Sequence, residues 1–196
     1  MHLMPVLAAF LRKQPKVTAT LVTLDRVANL VEEGFDVAVR IAQLPDSTIV
    51  ARRIGEVRRL LVASPAYLRH RGVPRRPGEF GAHELIAFEG MLPGGEWRFV
   101  EDGRPGTVPL APRLMVNDAL GAIMAAERGE GITGALSYMV APQLAAGTLV
   151  AVLEELAPPP VPVQIVYPQS RLLAAKVRAF VDFAAPRLAR ALAPGR

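Results

Sequence analysis

Apolar residues along the opening stretch of the chain recur first at helical and then at strand spacing. Leu3, Leu7 and Phe10 fall on one face of a helix that Pro15 ends. The β-forming residues then alternate over 17–22, which predicts a strand. This stretch therefore predicts one helix followed by one strand.

The same alternation repeats directly afterwards. A second helix is predicted over 26–33, with Gly34 placed to end it in a left-handed cap, and a second strand is predicted over 35–41. A polar loop, 44–47, follows that strand. This order of helices and strands favours a parallel sheet, in which ligands bind at the loops beyond the carboxyl ends of the strands.

The rest of the chain alternates in the same way, with shorter elements. Further strands are predicted over 59–63, 85–88, 96–101, 107–116, 132–136, 149–153 and 161–167. Further helices are predicted to begin at the polar caps Ser64-Pro65, Asn117-Asp118 and Ser137, and a last helix is predicted over 172–192. The chain is thus predicted to be an α/β protein.

The composition is that of a globular protein with a sizeable core. Hydrophobic residues make up 51% of the 196 residues and charged residues 21%, which suits one ordinary domain or two small ones. No apolar run approaches the ~20 residues that span a bilayer, and the first residues lack the pattern of a secretory signal. Cysteine is absent, which excludes disulfides and thiolate chemistry. We therefore expect a cytoplasmic protein.

The net charge of +5 comes almost entirely from arginine. Arginines concentrate between Arg52 and Arg76, where Glu56 is the only acid. Two interpretations are open: a patch for an anion or nucleic acid, or solvated strand edges and helix faces. The second is favoured, because the arginines are spread along several elements and no aromatic residues interleave with them.

The residues offer no catalytic constellation. Gly129-Glu-Gly131-Ile-Thr-Gly134 fits the glycine string of dinucleotide-binding folds, but that signature needs a strand before it and a helix after it. The predicted order here is reversed, which favours structural glycines at a tight helix-to-strand turn. The three histidines are too dispersed for a metal site, and no serine lies in a nucleophile elbow. No catalytic residue, metal or cofactor is predicted.

Polar residues at four predicted strand ends share one geometry. Each place follows a strand, and three of them open a helix. In an open parallel sheet such ends converge on one crevice, where helix N-termini favour a carboxylate or a similar anion. An ordinary N-cap role, worth about 1 kcal/mol to the helix, is the alternative for each polar residue. The residues predicted to bind a ligand are Thr23, Asp25, Arg40, Ile41, Ala42, Asn117, Asp118, Leu136 and Ser137.

Six stretches of the sequence carry a family resemblance when they are taken together. They are Leu30-Val-Glu-Glu-Gly-Phe-Asp-Val-Ala-Val-Arg40, Val50-Ala-Arg-Arg-Ile54, Leu61-Val-Ala-Ser-Pro-Ala-Tyr-Leu68, Glu96-Trp-Arg-Phe99, Val116-Asn-Asp118 and Lys176-Val-Arg-Ala-Phe-Val-Asp-Phe183. These stretches resemble the effector-binding (substrate-binding) domain of LysR-type transcription regulators. The resemblance extends over nearly the whole chain.

The resemblance implies two Rossmann-like subdomains joined by two crossover strands, similar to type II periplasmic binding proteins. Subdomain I would comprise 1–59 and 167–196, and subdomain II would comprise 60–166. The family binds small, often anionic or aromatic metabolites in the cleft between its subdomains. Its cleft positions match the loop after Val22, Arg40 to Ala42, Asn117-Asp118 and the end of the strand at Leu136.

The resemblance also implies partners. We expect a homodimer or homotetramer, formed through the first helix and its neighbouring strand against the second subdomain of another copy. The winged helix-turn-helix of the family is missing here, as is the first strand of subdomain I, so DNA contact is expected only through the missing module. No membrane association is expected. A stand-alone solute-binding protein of the same fold is the alternative, and an enzyme would need Arg40, Asp118 and a histidine to converge.

Overall fold

A computed structural model describes residues 2–24, 28–42, 49–88, 95–169 and 174–192 of the chain. The fold is mixed α/β, as predicted. The chain divides into two compact units: the first combines Met1–Val57 with Val161–Arg196, and the second is Arg58–Pro160. The subdomain limits derived from the sequence, after 59 and after 166, stay a prediction.

Helices and strands alternate along the chain. The helices are α1 Leu3–Lys13, α2 Pro65–Arg71, α3 Ala119–Glu127, α4 Ser137–Ala146 and α5 Ala175–Leu192, with 3-10 turns at Pro77–Ala82 and Glu154–Leu156. The strands are β1 Ala38–Ile41, β2 Ile49–Val57, β3 Arg59–Ala63, β4 Leu85–Phe88, β5 Glu96–Glu101, β6 Arg104–Pro109, β7 Leu114–Val116, β8 Ile132–Leu136, β9 Val150–Val152 and β10 Val161–Pro168. Within the described ranges, no helix combines the length and hydropathy that a membrane crossing requires.

The first unit is built on a three-stranded antiparallel sheet in the order β1–β10–β2. In the pairing of β1 with β10, Arg40 lies opposite Gln164. The helices α1 and α5 pack together through an aromatic cluster, in which the ring of Phe10 lies 5.3 Å from that of Phe180 and 5.6 Å from that of Phe183. This packing accounts for the apolar stripe that the sequence predicted on the first helix.

The strand predicted over 17–22 is wrong, and so is the parallel sheet predicted for the first unit. Residues 14–24 contain no strand, and among the described residues β1 pairs only with β10, in the antiparallel sense. Val22 and Leu24 keep 49% and 43% of their surface exposed. A β-forming pattern makes a strand only when a neighbour pairs its N–H and C=O groups, and none of the described residues provides that neighbour.

The helix predicted over 26–33 is not observed in its described part, which begins at Ala28. That part forms one turn, in which the backbone N–H of Asn29 donates to the Glu33 carboxylate at 2.9 Å. Gly34, at φ +71°, then reverses the chain before a second turn forms. Capping groups at both ends thus close a segment that is too short to become a helix.

The second unit is built on a five-stranded mixed sheet in the order β7–β4–β8–β3–β9. β4 runs parallel to both of its neighbours, β7 and β8. β3 runs antiparallel to β8 and to β9. The parallel pairing that the sequence predicted is therefore present in this unit.

Both faces of this second sheet are covered. One face packs on α3 and α4 through a buried cluster that includes Leu60, Val62 and Val140. The other face packs on α2 and on the hairpin of β5 and β6, through a cluster that includes Leu61 and Trp97. Because side chains alternate along a strand, β3 supplies apolar residues to both clusters, which explains its unbroken apolar run.

Parallel pairing brings several strand ends of the second unit to one edge of its sheet, the carboxyl edge. β7 ends there at Val116 and β8 at Leu136, and the antiparallel strand β3 begins there at Arg59, opposite Leu136. The other side, the amino edge, holds the starts of β4 at Leu85 and of β8 at Ile132. Residues that follow β7 and β8 therefore share the carboxyl edge.

Local signals in this unit are confirmed in one helix, α2, and not in the extent of one strand. The Ser64 hydroxyl oxygen accepts a hydrogen bond from the Tyr67 N–H at 3.2 Å and so caps α2, and Gly72 ends that helix at φ +85°. The single strand predicted over 107–116 is wrong, because it is two strands: β6 pairs with β5 and β7 pairs with β4. Pro112 lies between them and has no N–H with which to continue a ladder.

The glycines between α3 and β8 have the structural role that the sequence predicted. Gly129 and Gly131 adopt φ values of +88° and +154°, and the Ile132 N–H donates to the Glu84 carbonyl at 2.9 Å. A Cβ at Gly131 would overlap that carbonyl oxygen of Glu84. The turn therefore needs glycine to start β8 beside β4.

We expect Gly131→Ala to destabilise the chain by about 3 kcal/mol, because it adds both a backbone clash and an unfavourable φ. Gly147→Ala is the matched control, since Gly147 has φ +71° but nothing within 4 Å of the added Cβ. That change should cost only about 1 kcal/mol. Urea unfolding measures both, and equal losses in the two variants would show that no clash occurs at Gly131.

Candidate functional site

Asn117 and Asp118 follow β7 at the carboxyl edge and differ in what their side chains do. One Asp118 carboxylate oxygen accepts from the Gly121 N–H at 2.9 Å, so Asp118 is the N-cap of α3, as predicted. Asn117 is exposed, and its side chain makes no hydrogen bond to the described residues. One carboxylate oxygen of Asp118 is therefore used in capping α3, whereas the side-chain amide of Asn117 is available to bind a ligand.

Leu136 ends β8 and α4 begins directly at Ser137, so the prediction that Ser137 caps this helix is wrong. Leu136 occupies the cap position, and it has no side-chain group that could cap α4. The Ser137 oxygen instead accepts from the Arg58 N–H at 3.1 Å, and the Ser137 N–H donates to the Arg58 carbonyl at 2.9 Å. This reciprocal pair fixes the start of α4 to the start of β3. The Ser137 hydroxyl still has a proton to donate.

In the first unit, Arg40, Ile41 and Ala42 lie at the end of β1 and are half-buried. The Arg40 guanidinium donates to the Ala28 carbonyl and so holds the turn after 28. The Ala42 carbonyl accepts from the Gln164 side-chain amide at 3.1 Å. Arg40 thus has a structural partner of its own.

Gln164 is a residue that the sequence reasoning missed. It lies in β10 and its amide reaches the predicted ligand-binding segment at Ala42. Its signal was present: it is the one amide side chain within an otherwise apolar strand from Val161 to Val166. Such a residue needs a polar partner because burying an unpaired amide is costly.

The structure does not place Thr23 and Asp25 with the other residues predicted to bind a ligand. Thr23 is exposed and follows no strand, so its predicted position at a strand end is wrong. Asp25, Gln43 and the loop 44–47 lie outside the described residues. The structure thus brings Asn117, Asp118, Leu136 and Ser137 to one edge of the second unit and keeps Arg40, Ile41 and Ala42 together in the first.

The amino edge of the second unit is held by a hydrogen-bonded network around His83. The Tyr67 hydroxyl accepts from the Glu84 N–H at 2.8 Å, so its own proton is free to bond to Nδ1 of His83, 3.2 Å away. Burial lowers the pKa of His83, and the Arg71 charge adds to this while Glu79 opposes it. A neutral His83 is what the bond from Tyr67 requires.

The carboxylate of Glu84 forms ion pairs with two arginines at the same edge. Its Oε1 lies 3.1 Å from Arg71 and 3.3 Å from Arg113. His83 and Asp118 therefore lie at opposite edges of the sheet, which gives no support to a catalytic pair of these two residues. Among the described residues, no group of three His, Asp or Glu side chains is placed to hold a metal ion.

The family of the chain follows from a direct match. The family model described as the LysR substrate binding domain matches residues 1–189. The chain belongs to this family. The resemblance found in the sequence is thereby confirmed.

Curated relatives of the chain are transcription regulators. The HTH-type transcriptional regulator PtxR of Pseudomonas aeruginosa is 30% identical over 189 residues, which are 96% of this chain and 61% of that protein. An HTH-type transcriptional regulator of Xanthomonas campestris is 31% identical over 188 residues, 94% of this chain and 55% of that protein. The chain thus spans less than two thirds of the length of these relatives.

Solved structures of the family share the fold. The full-length virulence activator AphB of Vibrio cholerae superposes with a TM-score of 0.80 at 29% identity, over 93% of this chain and 62% of that one. The CrgA regulatory domain of Neisseria meningitidis superposes with a TM-score of 0.81 at 26% identity, over 95% of this chain and 91% of that domain. The fold is therefore the two-subdomain fold of LysR-type regulatory domains, similar to periplasmic binding proteins.

Acidification is expected to destabilise the folded chain through His83. The unfolded chain takes up a proton near the ordinary pKa of 6.5, whereas the folded chain does so only at lower pH. Stability is therefore full above that value and is lost as pH falls through the lowered pKa of the folded state. Unfolding of the wild type and of His83→Asn, whose side chain can accept the same bond without titrating, measures the effect. The wild type should lose stability relative to the variant as pH falls below the ordinary pKa of 6.5, and parallel curves would contradict this.

Proposed function

We propose that this chain is the effector-sensing part of a LysR-type transcription regulator and has no enzymatic activity. The observation that carries the proposal is the carboxyl edge of the second unit. There, β7 and β8 each lead into a helix, and the side-chain amide of Asn117 and the hydroxyl proton of Ser137 have no hydrogen-bond partner among the described residues. Polar groups left free on a rigid sheet edge are typical of binding sites.

The two helix starts at this edge differ in charge, which favours a particular ligand. The Asp118 carboxylate already neutralises the start of α3. The N-cap of α4 is Leu136, which brings no negative group, so the helix dipole at the start of α4 favours an anion. A small anionic metabolite, aromatic or aliphatic, suits this edge: its carboxylate would face α4 and Ser137, and Asn117 would donate to a second oxygen.

We propose that the ligand contacts those predicted residues that the structure describes at the ends of strands. On the second unit they are Asn117, Asp118, Leu136 and Ser137, and on the first they are Arg40, Ile41 and Ala42. Thr23 and Asp25 stay predictions without structural support. Ligand binding would stabilise one conformation of the domain over another and so change DNA binding by the helix-turn-helix for which the relatives are named. A cytoplasmic location accords with that function.

We further propose that the chain forms homodimers or homotetramers. α3 presents Leu120 and Met124, one helical turn apart, with 62% and 42% of their surfaces exposed, and Met115 of the edge strand β7 is 59% exposed. Apolar side chains clustered on one helix and the adjoining strand mark an interaction surface. In the first unit, Met4 of α1 is 56% exposed. A second copy of this chain is the partner that covers these residues.

Calorimetric titration with a panel of aromatic and aliphatic carboxylic acids tests the proposed function. We expect one or more acids to bind the wild type, and Asn117→Ala to weaken that acid about tenfold by removing one hydrogen bond. Its unfolding midpoint should not change, because the Asn117 side chain makes no hydrogen bond to the described residues.

Glu130→Ala is the control for this titration, since Glu130 is also exposed but belongs to the turn before β8, at the amino edge. It should bind the acid as the wild type does. A folded wild type that binds none of the acids, or an Asn117→Ala protein with unchanged affinity, would contradict the proposed site.

A further inference from the structure

The middle strand of the first unit carries an amide that the fold satisfies only in part. Gln164 is half-buried in β10, and its side-chain N–H donates to the Ala42 carbonyl at 3.1 Å. Because a carbonyl oxygen accepts only from a donor, this bond assigns the amide nitrogen to the side of Ala42. The side-chain oxygen of Gln164 is the other branch of the amide, and it makes no hydrogen bond to the described residues.

The Gln164 side chain reaches towards the end of β1. In the pairing of β10 with β1, Gln164 lies opposite Arg40. Its amide nevertheless contacts Ala42, two residues further along the chain and just beyond the strand. The free oxygen is therefore beside the segment from Arg40 to Ala42, which we propose to contact the ligand.

A β-bulge completes a row of polar side chains around Gln164. The register of β2 shifts at this point, so that Gln164 faces Arg53 and Ile54 is the extra residue. In a regular ladder, Ile54 would lie opposite Gln164. Residues directly opposite each other share a face of the sheet. Arg40, Gln164 and Arg53 thus form one polar row across the three strands.

The last helix does not cover this row. Arg52, the neighbour of Arg53 in β2, pairs with Asp182 of α5 at 3.2 Å. Side chains alternate along a strand, so Arg53 and Gln164 belong to the opposite face of the sheet from α5. The free oxygen of Gln164 is therefore not held in reserve for a partner on that helix.

The charges in the row decide which donor suits the free oxygen. Arg53 is neutralised by Glu56, whose carboxylate is 2.6 Å away. The Arg40 guanidinium donates to the Ala28 carbonyl, and no acid pairs with it among the described residues. Arg40 therefore keeps its positive charge, which repels an ammonium group but not a neutral hydroxyl.

We propose that Gln164 is a specificity-determining residue, whose side-chain oxygen accepts a hydrogen bond from a hydroxyl group of the ligand. The ligand is then a hydroxy-substituted carboxylic acid. This inference rests on the proposed function, because it concerns the same ligand. A site that bonds a ligand hydroxyl discriminates against the analogue without one, since its own polar atom would then stay unpaired.

Calorimetric titration with matched pairs of acids tests this assignment. The pairs are lactate with propionate and each hydroxybenzoate isomer with benzoate, so that the members of a pair differ by one hydroxyl. We expect the wild type to bind the hydroxylated acid of at least one pair about tenfold more tightly than its partner. In Gln164→Met, which has a side chain of similar length but no amide, the two acids should bind with equal affinity.

The ratio of the two affinities separates a contact with the ligand from a structural role. If Gln164 only held Ala42 in place, Gln164→Met would weaken both acids of a pair and leave their ratio unchanged. Gln14→Met is the matched control, because Gln14 is exposed at the end of α1, and it should keep the wild-type ratio. Equal affinities of the wild type for both acids of every pair, or an unchanged ratio in Gln164→Met, would overturn the assignment.

Failure of this assignment can be told apart from failure of the proposed function. A wild type that binds none of the acids contradicts both. Acids that bind without any preference for the hydroxyl contradict the role of Gln164 alone. Asn117→Ala should weaken both acids of a pair without changing their ratio, so the two residues give different results in the same titration.

Discussion

The parallel pairing of β4 with β7 on one side and β8 on the other is the constraint on which the second unit depends. All four residues of β4, from Leu85 to Phe88, are buried, so this strand has no free face or free edge. The Thr133 hydroxyl of β8 donates to the Ile86 carbonyl at 2.9 Å and adds a side-chain bond to the ladder. Parallel strands must be joined by long crossover connections. Helix α3 is part of one of them, since it carries the chain from the end of β7 at the carboxyl edge back to the start of β8 at the amino edge.

The two edges of that sheet have different roles as a result. At the amino edge, the polar groups of Tyr67, His83 and Glu84 are paired with one another, with arginines and with the backbone beside Gly131. At the carboxyl edge, the side-chain amide of Asn117 makes no hydrogen bond to the described residues, and the hydroxyl proton of Ser137 has no acceptor among them. A fully bonded edge gives rigidity, and a ligand at the other edge gains from groups that are already positioned.

The sequence predicted those parts of the fold that depend on local signals. The cap at Ser64, the cap at Asp118 and the glycine turn before β8 need only neighbouring residues, and all three are observed. The strand over 17–22 was not predictable in this way, because a strand exists only if another strand pairs with it. The helix over 26–33 failed because Asn29 and Gly34 close its first turn.

The candidate site shows the same division. Its location at strand ends of the second unit could be predicted from the order of elements, but the roles of individual side chains depend on residues far away in sequence. Ser137 is bonded to Arg58, and Ala42 to Gln164. No periodicity or motif in the sequence encodes such pairs. Ser137 was therefore predicted to cap α4, whereas it bonds the start of α4 to the start of β3.

Amide chemical-shift mapping is the most direct test of whether ligand binds the second unit at its carboxyl edge. The chain would be titrated with the carboxylic acid that binds it most tightly in calorimetry. We expect the amide signals of Asn117, Ser137 and the first turn of α4 to shift, while those of Glu84, Gly131 and Ile132 stay unchanged. Shifts confined to the amino edge, with the signals of Asn117 and Ser137 unchanged, would contradict it.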